Sequence, residues 1–156
     1  IAQITDLHLR TDGRPLKGKV DSAAALDAAI RHLNGLNPKP DLVLVTGDLV
    51  NKAHKQDYQG LRRELDRLTM ASYVIPGNHD DRDMIRQYFG DCGYLPSDGE
   101  FLHYTIEQPD RPLRLIGLDT KRPGHDGGEM CAERLVWLDR TLAEAPKRPT
   151  LMGFPP

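Results

Sequence analysis

Residues 41–46, Asp-Leu-Val-Leu-Val-Thr, constrain the fold of this chain more than any other segment because nearly every side chain in them is apolar. A strand with one wet face alternates apolar and polar residues, whereas a short unbroken apolar run is typical of a strand covered on both faces. Such strands belong to parallel sheets flanked by helices. The run therefore predicts an α/β fold built on a parallel sheet.

Apolar runs at residues 1–5 and 71–75 predict two neighbouring strands of that sheet. Periodicity close to 3.6 residues, together with start and stop signals, predicts four helices, over residues 21–36, 56–68, 81–89 and 129–145. In the last of these, Leu135, Leu138 and Leu142 are expected to face inward. Residues 101–106 and 113–118 flank a Pro-Asp-Arg-Pro turn signal and predict an antiparallel pair, and a further strand begins at residue 149.

Each of the first three strands is followed by residues that commonly bind metals. Asp6 and His8 follow the first strand, Asp48 follows the second, and Asn78 and His79 follow the third. The carboxyl ends of parallel strands meet at one edge of a sheet, so these side chains are expected to converge. Asp, His and Asn are hard or borderline donors that suit a divalent metal. The sequence therefore predicts one metal site from three distant segments, with Asp6 and His8 pointing the same way if the extended conformation continues.

Several polar residues near these strand ends have two interpretations. Asp80 and Asp81 either cap the following helix or hold a metal-binding side chain in place. Asn51 is a candidate for contact with substrate. The basic loop at residues 10–19 contains two glycines and a proline and is expected to be mobile, and its charges are either solvated or available to a phosphate. His103 is interpreted as an ordinary sheet residue.

Composition narrows the range of partners and compartments. With 156 residues and 38% hydrophobic side chains, the chain is expected to be one soluble domain. A net charge of −2 argues against a nucleic acid duplex held by many phosphate contacts. Two cysteines without metal-site spacing fit a reducing cytoplasm. No apolar run approaches membrane-spanning length, so no membrane partner is predicted.

Three ordered motifs resemble those of a known family. Asp6-Leu7-His8, Gly47-Asp48 and Gly77-Asn78-His79-Asp80 resemble the D-x-H, G-D and G-N-H-[DE] blocks of the calcineurin-like metallophosphoesterases. The extension of the second block to Asn51, with Tyr58 further on, is similar to the bacterial cyclic-nucleotide and glycerophosphodiester phosphodiesterases. The resemblance spans the whole chain. It implies a four-layer α-β-β-α sandwich, of which this chain covers the N-terminal half or more.

The resemblance also implies a chemistry. Asp6 and His8 would bind one metal, Asp48 would bridge two, and Asn78 would bind the second, the ions being drawn from Fe, Mn, Zn and Co. Catalysis would depend on Asp48 and on His79, which lies beside the phosphate, while Asn78, His79 and Asn51 would contact substrate. The implied reaction is hydrolysis of a small phosphodiester, such as cAMP or a glycerophosphodiester, by a metal-bridging hydroxide.

The end of the chain departs from the family pattern. The family supplies further histidines from a His-His-Pro-Pro-like block and a later Gly-His-x-His block, whereas residues 150–156 contain the prolines without a histidine. Either residues between Phe154 and Pro155 are missing, or the chain is a natural or engineered truncation with an incomplete site, and we predict the first. Weak or absent activity is expected of these residues alone.

Three alternatives to a phosphodiesterase remain open. Two are enzymes of the same fold, a phosphomonoesterase and a nuclease. The third is a metal-poor scaffold that uses the same face to bind partners. The oligomeric state is also open, a homo-oligomer included.

Overall fold

The computed structural model describes residues 1–108 and 111–155. The first half of the chain alternates strands and helices, in the order β1 Ala2–Thr5, α1 Ser22–Gly35, β2 Leu42–Thr46, α2 Lys55–Leu65, β3 Ala71–Ile75 and α3 Arg82–Phe89. The second half, after a 3₁₀ turn at Gly90–Cys92, contains β4 Tyr104–Glu107, β5 Arg114–Gly117, α4 Ala132–Ala143 and β6 Thr150–Gly153. The predicted elements are confirmed, with shifts of a few residues at their ends. The Pro-Asp part of the predicted turn lies outside the described residues.

The first sheet is parallel and has the order β1-β2-β3. All five residues of β2 are buried, as the apolar run predicts for a central strand covered on both faces. Helices α1 and α2 contribute Ile30 and Leu61, both fully buried, to the same core. Because the three strands run in one direction, their carboxyl ends share one edge.

The second sheet has the order β4-β5-β6, with β4 antiparallel to β5 and β6 parallel to it. It packs face to face on the first sheet through aromatic rings. The Tyr94 ring lies 5.0 Å from that of Tyr73 on β3 and 4.8 Å from that of Tyr104 on β4. Helix α4 packs on the second sheet, where Arg114 of β5 donates to the Thr141 carbonyl at 2.6 Å. The layers therefore follow the α-β-β-α order that the resemblance implies.

The inward face of α4 differs from the prediction. Leu135 is 51% exposed, and Leu138 and Leu142 are only partly buried, whereas Arg134 and Thr141 are buried. The Arg134 guanidinium lies 4.2 Å from the centre of the Phe101 ring and donates to two backbone carbonyls. Arg134, stacked on a ring and hydrogen-bonded, thus fills part of the inward helix face that the leucine periodicity assigned to aliphatic side chains.

Helices in the described part of the chain are all too short or too polar to span a bilayer.

Candidate metal centre

The backbone is kinked just after β1 and β2, where the predicted ligands lie. Asp6, His8 and Asp48 have positive φ angles of 53°, 41° and 41°, and Gly47 has a φ of 70°. The extended conformation assumed for Asp6 and His8 therefore does not continue past Thr5. The two segments nevertheless stay parallel and paired, with His8 N–H donating to the Asp48 carbonyl at 2.8 Å and Leu9 N–H to the Leu49 carbonyl at 3.1 Å. Backbone hydrogen bonds thus run through the ligand residues and on past them.

His8, Asp48 and His79 form the candidate metal cluster. Each offers one ligand atom, and these atoms lie within 4.8 Å of one another. The buried Asp48 carboxylate is 3.4 Å from His8 Nε2 and accepts a hydrogen bond from the His79 backbone N–H at 3.1 Å. The two imidazole rings meet edge to face at 4.7 Å. Nδ1 of His8 is buried and has no partner in the described part of the chain.

Two orientations of the Asn78 amide fit beside Asp48. With nitrogen facing inward, Nδ2 donates to the two Asp48 oxygens at 3.0 and 3.2 Å. With oxygen facing inward, Nδ2 donates to Asp126 at 3.4 Å, and the amide oxygen faces only acceptors. The first orientation satisfies the amide without a metal, whereas the second directs the amide oxygen towards Asp48 and is the one in which Asn78 could bind a cation.

Asp80 joins the loops that carry this cluster. It is 3% exposed and accepts hydrogen bonds from the backbone N–H groups of Leu49 at 3.0 Å, Val50 at 3.2 Å and Gly77 at 2.8 Å, and from the Tyr58 hydroxyl at 3.2 Å. Burial raises the pKa of this carboxyl to about 6, although the backbone donors favour its ionised form. Asp81, by contrast, caps α3 by accepting from Met84 N–H. Asp80 therefore holds the site and Asp81 caps the helix.

Gly77 lets the third loop approach the second. A Cβ atom at this position would lie 2.1 Å from the Asp48 nitrogen and 2.3 Å from its Oδ1. No side chain fits there, so the glycine of the third motif is required by contact with the aspartate of the second.

His79 has a defined tautomer. Its Nδ1 lies 2.7 Å from the Asn51 carbonyl oxygen, which can only accept, so Nδ1 carries the proton. The contact of Asn51 is thus through its backbone, and its side chain is free to meet a ligand. Asp6 is exposed and accepts from the Thr5 hydroxyl at 2.6 Å, and it is not part of the three-residue cluster.

The second sheet also reaches the site, through residues that the sequence analysis did not identify. Lys121 donates to the Asn78 carbonyl at 2.6 Å. Asp119, fully buried after β5, accepts from Lys121 N–H at 3.0 Å and from Arg82 Nε and Nη2 at 2.6 and 3.0 Å. The only signal in the sequence was an acidic residue directly after a predicted strand.

The start of the basic loop is anchored rather than free. Thr11 donates to the buried Asp57 carboxylate through its N–H at 2.8 Å and its hydroxyl at 2.7 Å. Arg10 forms a two-pronged pair with Asp12 at 3.1 and 2.6 Å. The expectation of a mobile loop is therefore wrong for its first residues, because α2 supplies an acceptor for them.

The two sheets face each other, and histidine, carboxylate and amide side chains meet at the carboxyl ends of the first sheet's strands. These features define the class of protein as an α/β sandwich with a candidate divalent-metal centre. The family model described as "Calcineurin-like phosphoesterase" matches residues 1–147. The chain belongs to this family.

Named relatives are phosphodiesterases. The chain is 34% identical over 152 residues to a probable glycerophosphodiester phosphodiesterase, GpdQ, of Arcobacter nitrofigilis, covering 97% of this chain and 55% of that protein. It is 35% identical to the glycerophosphodiester phosphodiesterase GpdQ of Enterobacter lignolyticus, covering 100% and 56%. It is 33% identical to a cAMP/cGMP dual specificity phosphodiesterase of Mycobacterium tuberculosis, covering 99% and 48%. The chain spans about half the length of the relatives it matches.

Among solved structures, a dimetal phosphatase from Danio rerio superposes with a TM-score of 0.67, covering 98% of this chain and 68% of that one. At 16% identity this likeness concerns the fold alone.

Proposed function

We propose that this chain contributes the metal-binding half of a phosphodiesterase that hydrolyses small phosphodiesters. The observation that supports this most directly is that His8, Asp48 and His79 converge, with Asn78 beside them, at the carboxyl ends of the strands of the first sheet. Relatives named for glycerophosphodiesters and for cyclic nucleotides make these two the substrate classes to test.

The residues of the cluster fit a divalent metal. Asp48 and His8 offer a carboxylate and an imidazole at contact distance, and Asn78 can turn its amide oxygen inward beside Asp48 to join them. Asp6 is proposed to join them through a change of side-chain rotamer, since its carboxylate is exposed. Two bound ions of the Fe, Mn, Zn or Co type would activate water near neutral pH and neutralise the phosphate charge.

His79 is proposed to act on the leaving group. Because Nδ1–H is held by the Asn51 carbonyl, Nε2 is the atom left to face substrate. A protonated Nε2 can stabilise charge on a phosphate oxygen or give its proton to the departing alkoxide. Lys121, fixed on the Asn78 carbonyl, adds a positive charge to the same wall of the site.

A weaker second candidate is a binding module without turnover. The described residues offer the second metal position only Asp48 and Asn78, which are too few protein donors for a firmly closed site. For residues 1–156 alone, we therefore propose hydrolysis that is slow but still metal-dependent.

The test combines metal analysis with an assay on bis(p-nitrophenyl) phosphate, glycerophosphodiesters and cAMP in the presence of Mn²⁺, Zn²⁺ or Co²⁺. Asp48→Asn should abolish metal-dependent hydrolysis and lower bound metal while circular dichroism stays unchanged, because it removes the one anionic group shared by both metal positions. Asp66→Asn, an exposed change on the far end of α2, serves as the matched control. Equal hydrolysis by Asp48→Asn and the parent would refute the proposal.

A further inference from the structure

Beside the candidate metal centre lies a cleft of about 440 Å³ that none of the roles above uses. It lies just beyond the bridge between Leu9 and Val50 and is lined by the segments that follow β1 and β2. The first segment contributes Arg10 and Arg14, and the second contributes Asn51, Lys52 and His54. The cleft thus begins two residues past His8 and three past Asp48.

Asn51 connects the cleft to the metal centre. Its carbonyl accepts from His79 Nδ1 at 2.7 Å, and the residue also lines the cleft. A diester with its phosphate at the cluster could therefore extend one of its two alcohol groups past Asn51 into the cleft.

The charges of the cleft are not balanced. Arg10, Arg14 and Lys52 line it against the carboxylates of Asp12 and Asp57, which leaves one positive charge in excess. Arg10 pairs with Asp12, and Asp57 accepts two hydrogen bonds from the uncharged Thr11. Arg14 and Lys52 are exposed and, within the described residues, have no carboxylate at ion-pair distance, so these two side chains are the ones open to an anionic ligand.

We propose that this cleft binds one of the two alcohol groups of the phosphodiester, and that it favours an alcohol carrying an additional anionic group. The inference rests on the proposed function and adds a substrate preference to it. A carboxylate on the alcohol would meet Arg14 and Lys52, while a neutral or cationic alcohol would leave both unpaired. An exposed charge pair contributes about a two- to fivefold change in affinity, so the preference is modest and sensitive to salt.

Glycerophosphoserine and glycerophosphoethanolamine test this directly because they differ by one carboxylate. In Mn²⁺ and low salt, we expect kcat/KM to be about fivefold higher for glycerophosphoserine. In the double variant Arg14→Gln/Lys52→Gln, that ratio should fall to about one. Arg63→Gln and Lys147→Gln, which remove exposed cations outside the cleft, should leave the ratio unchanged.

A ratio near one in the parent chain, or a ratio that the double variant does not change, would overturn the cleft proposal. Calorimetric titration of both compounds onto the same proteins gives the ratio without turnover. If the chain hydrolyses neither compound but binds glycerophosphoserine about fivefold more tightly, through Arg14 and Lys52, the phosphodiesterase proposal fails and the cleft proposal stands.

Discussion

Asp6, His8 and Asp48 adopt backbone conformations that non-glycine residues rarely adopt. Each such residue costs on the order of 1 kcal/mol or more, and strain of this kind collects at functional sites. The sequence motifs identified these three residues but could not indicate their conformation, because Asp and His adopt positive φ more often than most residues yet still usually have negative φ. Their strain is maintained by surrounding contacts, above all the four hydrogen bonds to Asp80.

Gly77→Ala should be among the most destabilising alanine substitutions in the chain. The new Cβ would overlap the Asp48 backbone nitrogen, which cannot move without breaking the loop, so we expect a loss of about 2–3 kcal/mol in the free energy of unfolding. Urea denaturation would measure it. The matched control is Gly35→Ala at the end of α1, where nothing lies within 4 Å of an added Cβ and a small gain is expected. Similar values for the two variants would contradict the close contact.

His79→Ala should keep bound metal and lose rate. A group that supplies a proton or stabilises charge typically contributes about 10²- to 10⁴-fold. Metal content by mass spectrometry and kcat on bis(p-nitrophenyl) phosphate separate this role from that of a ligand. His32→Ala, an exposed histidine on α1, provides the control. A variant with normal turnover and reduced metal content would instead make His79 a ligand, which its place in the three-residue cluster also permits.

At the scale of elements, the strands of the first sheet follow from their side chains. The bounds of β2 and β3 match the predicted runs, and Asp21 caps α1 as the start signal indicates. Apolar side chains suffice there because burial alone determines the structure.

Helix α4 cannot be predicted in the same way. Periodicity treats Arg134 as polar and therefore exposed, yet a ring and two carbonyls stabilise it inside, and those partners come from elsewhere in the sequence.

His103 gives the contact between α4 and the second sheet a pH dependence. It is 7% exposed, its ring lies 4.8 Å from Trp137, and its Nδ1 accepts from Asp119 N–H at 3.1 Å. It directly precedes β4, outside the strand to which the sequence assigned it, and it holds the end of β5. Burial, aided by Arg134 and Arg82 and opposed by Asp119, lowers the pKa of His103 to about 4.

A lowered folded-state pKa means that the unfolded chain binds the proton first as pH falls. The stability that His103 contributes is complete above about pH 6.5 and is lost as pH falls towards 4. We expect a loss of about 1–2 kcal/mol from this residue, after allowance for solvent screening. His103→Asn keeps an acceptor for Asp119 N–H and should flatten this part of the curve. Parallel curves of unfolding free energy against pH for the parent and the His103→Asn variant would contradict this prediction. Asp80 titrates in the same pH range in both proteins, so the difference between the two curves removes its contribution.

At the scale of the whole molecule, the candidate site depends on both sheets. Every motif that identified it comes from the first sheet, where strand ends bring distant segments together. The contribution of Lys121 and of the Arg82–Asp119 pair depends on how the second sheet faces the first. That relation is set by tyrosine packing and is not encoded in any local pattern, so the sequence could not predict it.

Because backbone pairing runs through the ligand residues and on past them, we expect the candidate centre to open only in the slow motions of the folded core. The amides of Leu9, Leu49 and Asn51 are hydrogen-bonded beyond the kinks, those of Asp6 and Gly47 before them, and His8 N–H donates to the Asp48 carbonyl in between. A loop at the end of a sheet could open alone, whereas this one opens only if pairing on one flank is broken. In native-state hydrogen exchange, these three amides should be protected about as strongly as those of β2, and addition of metal should slow the His8 amide further. If the Leu9 and Asn51 amides exchange fast while the β2 amides exchange slowly, the chain alone does not hold the centre in place, and metal binding is what orders it.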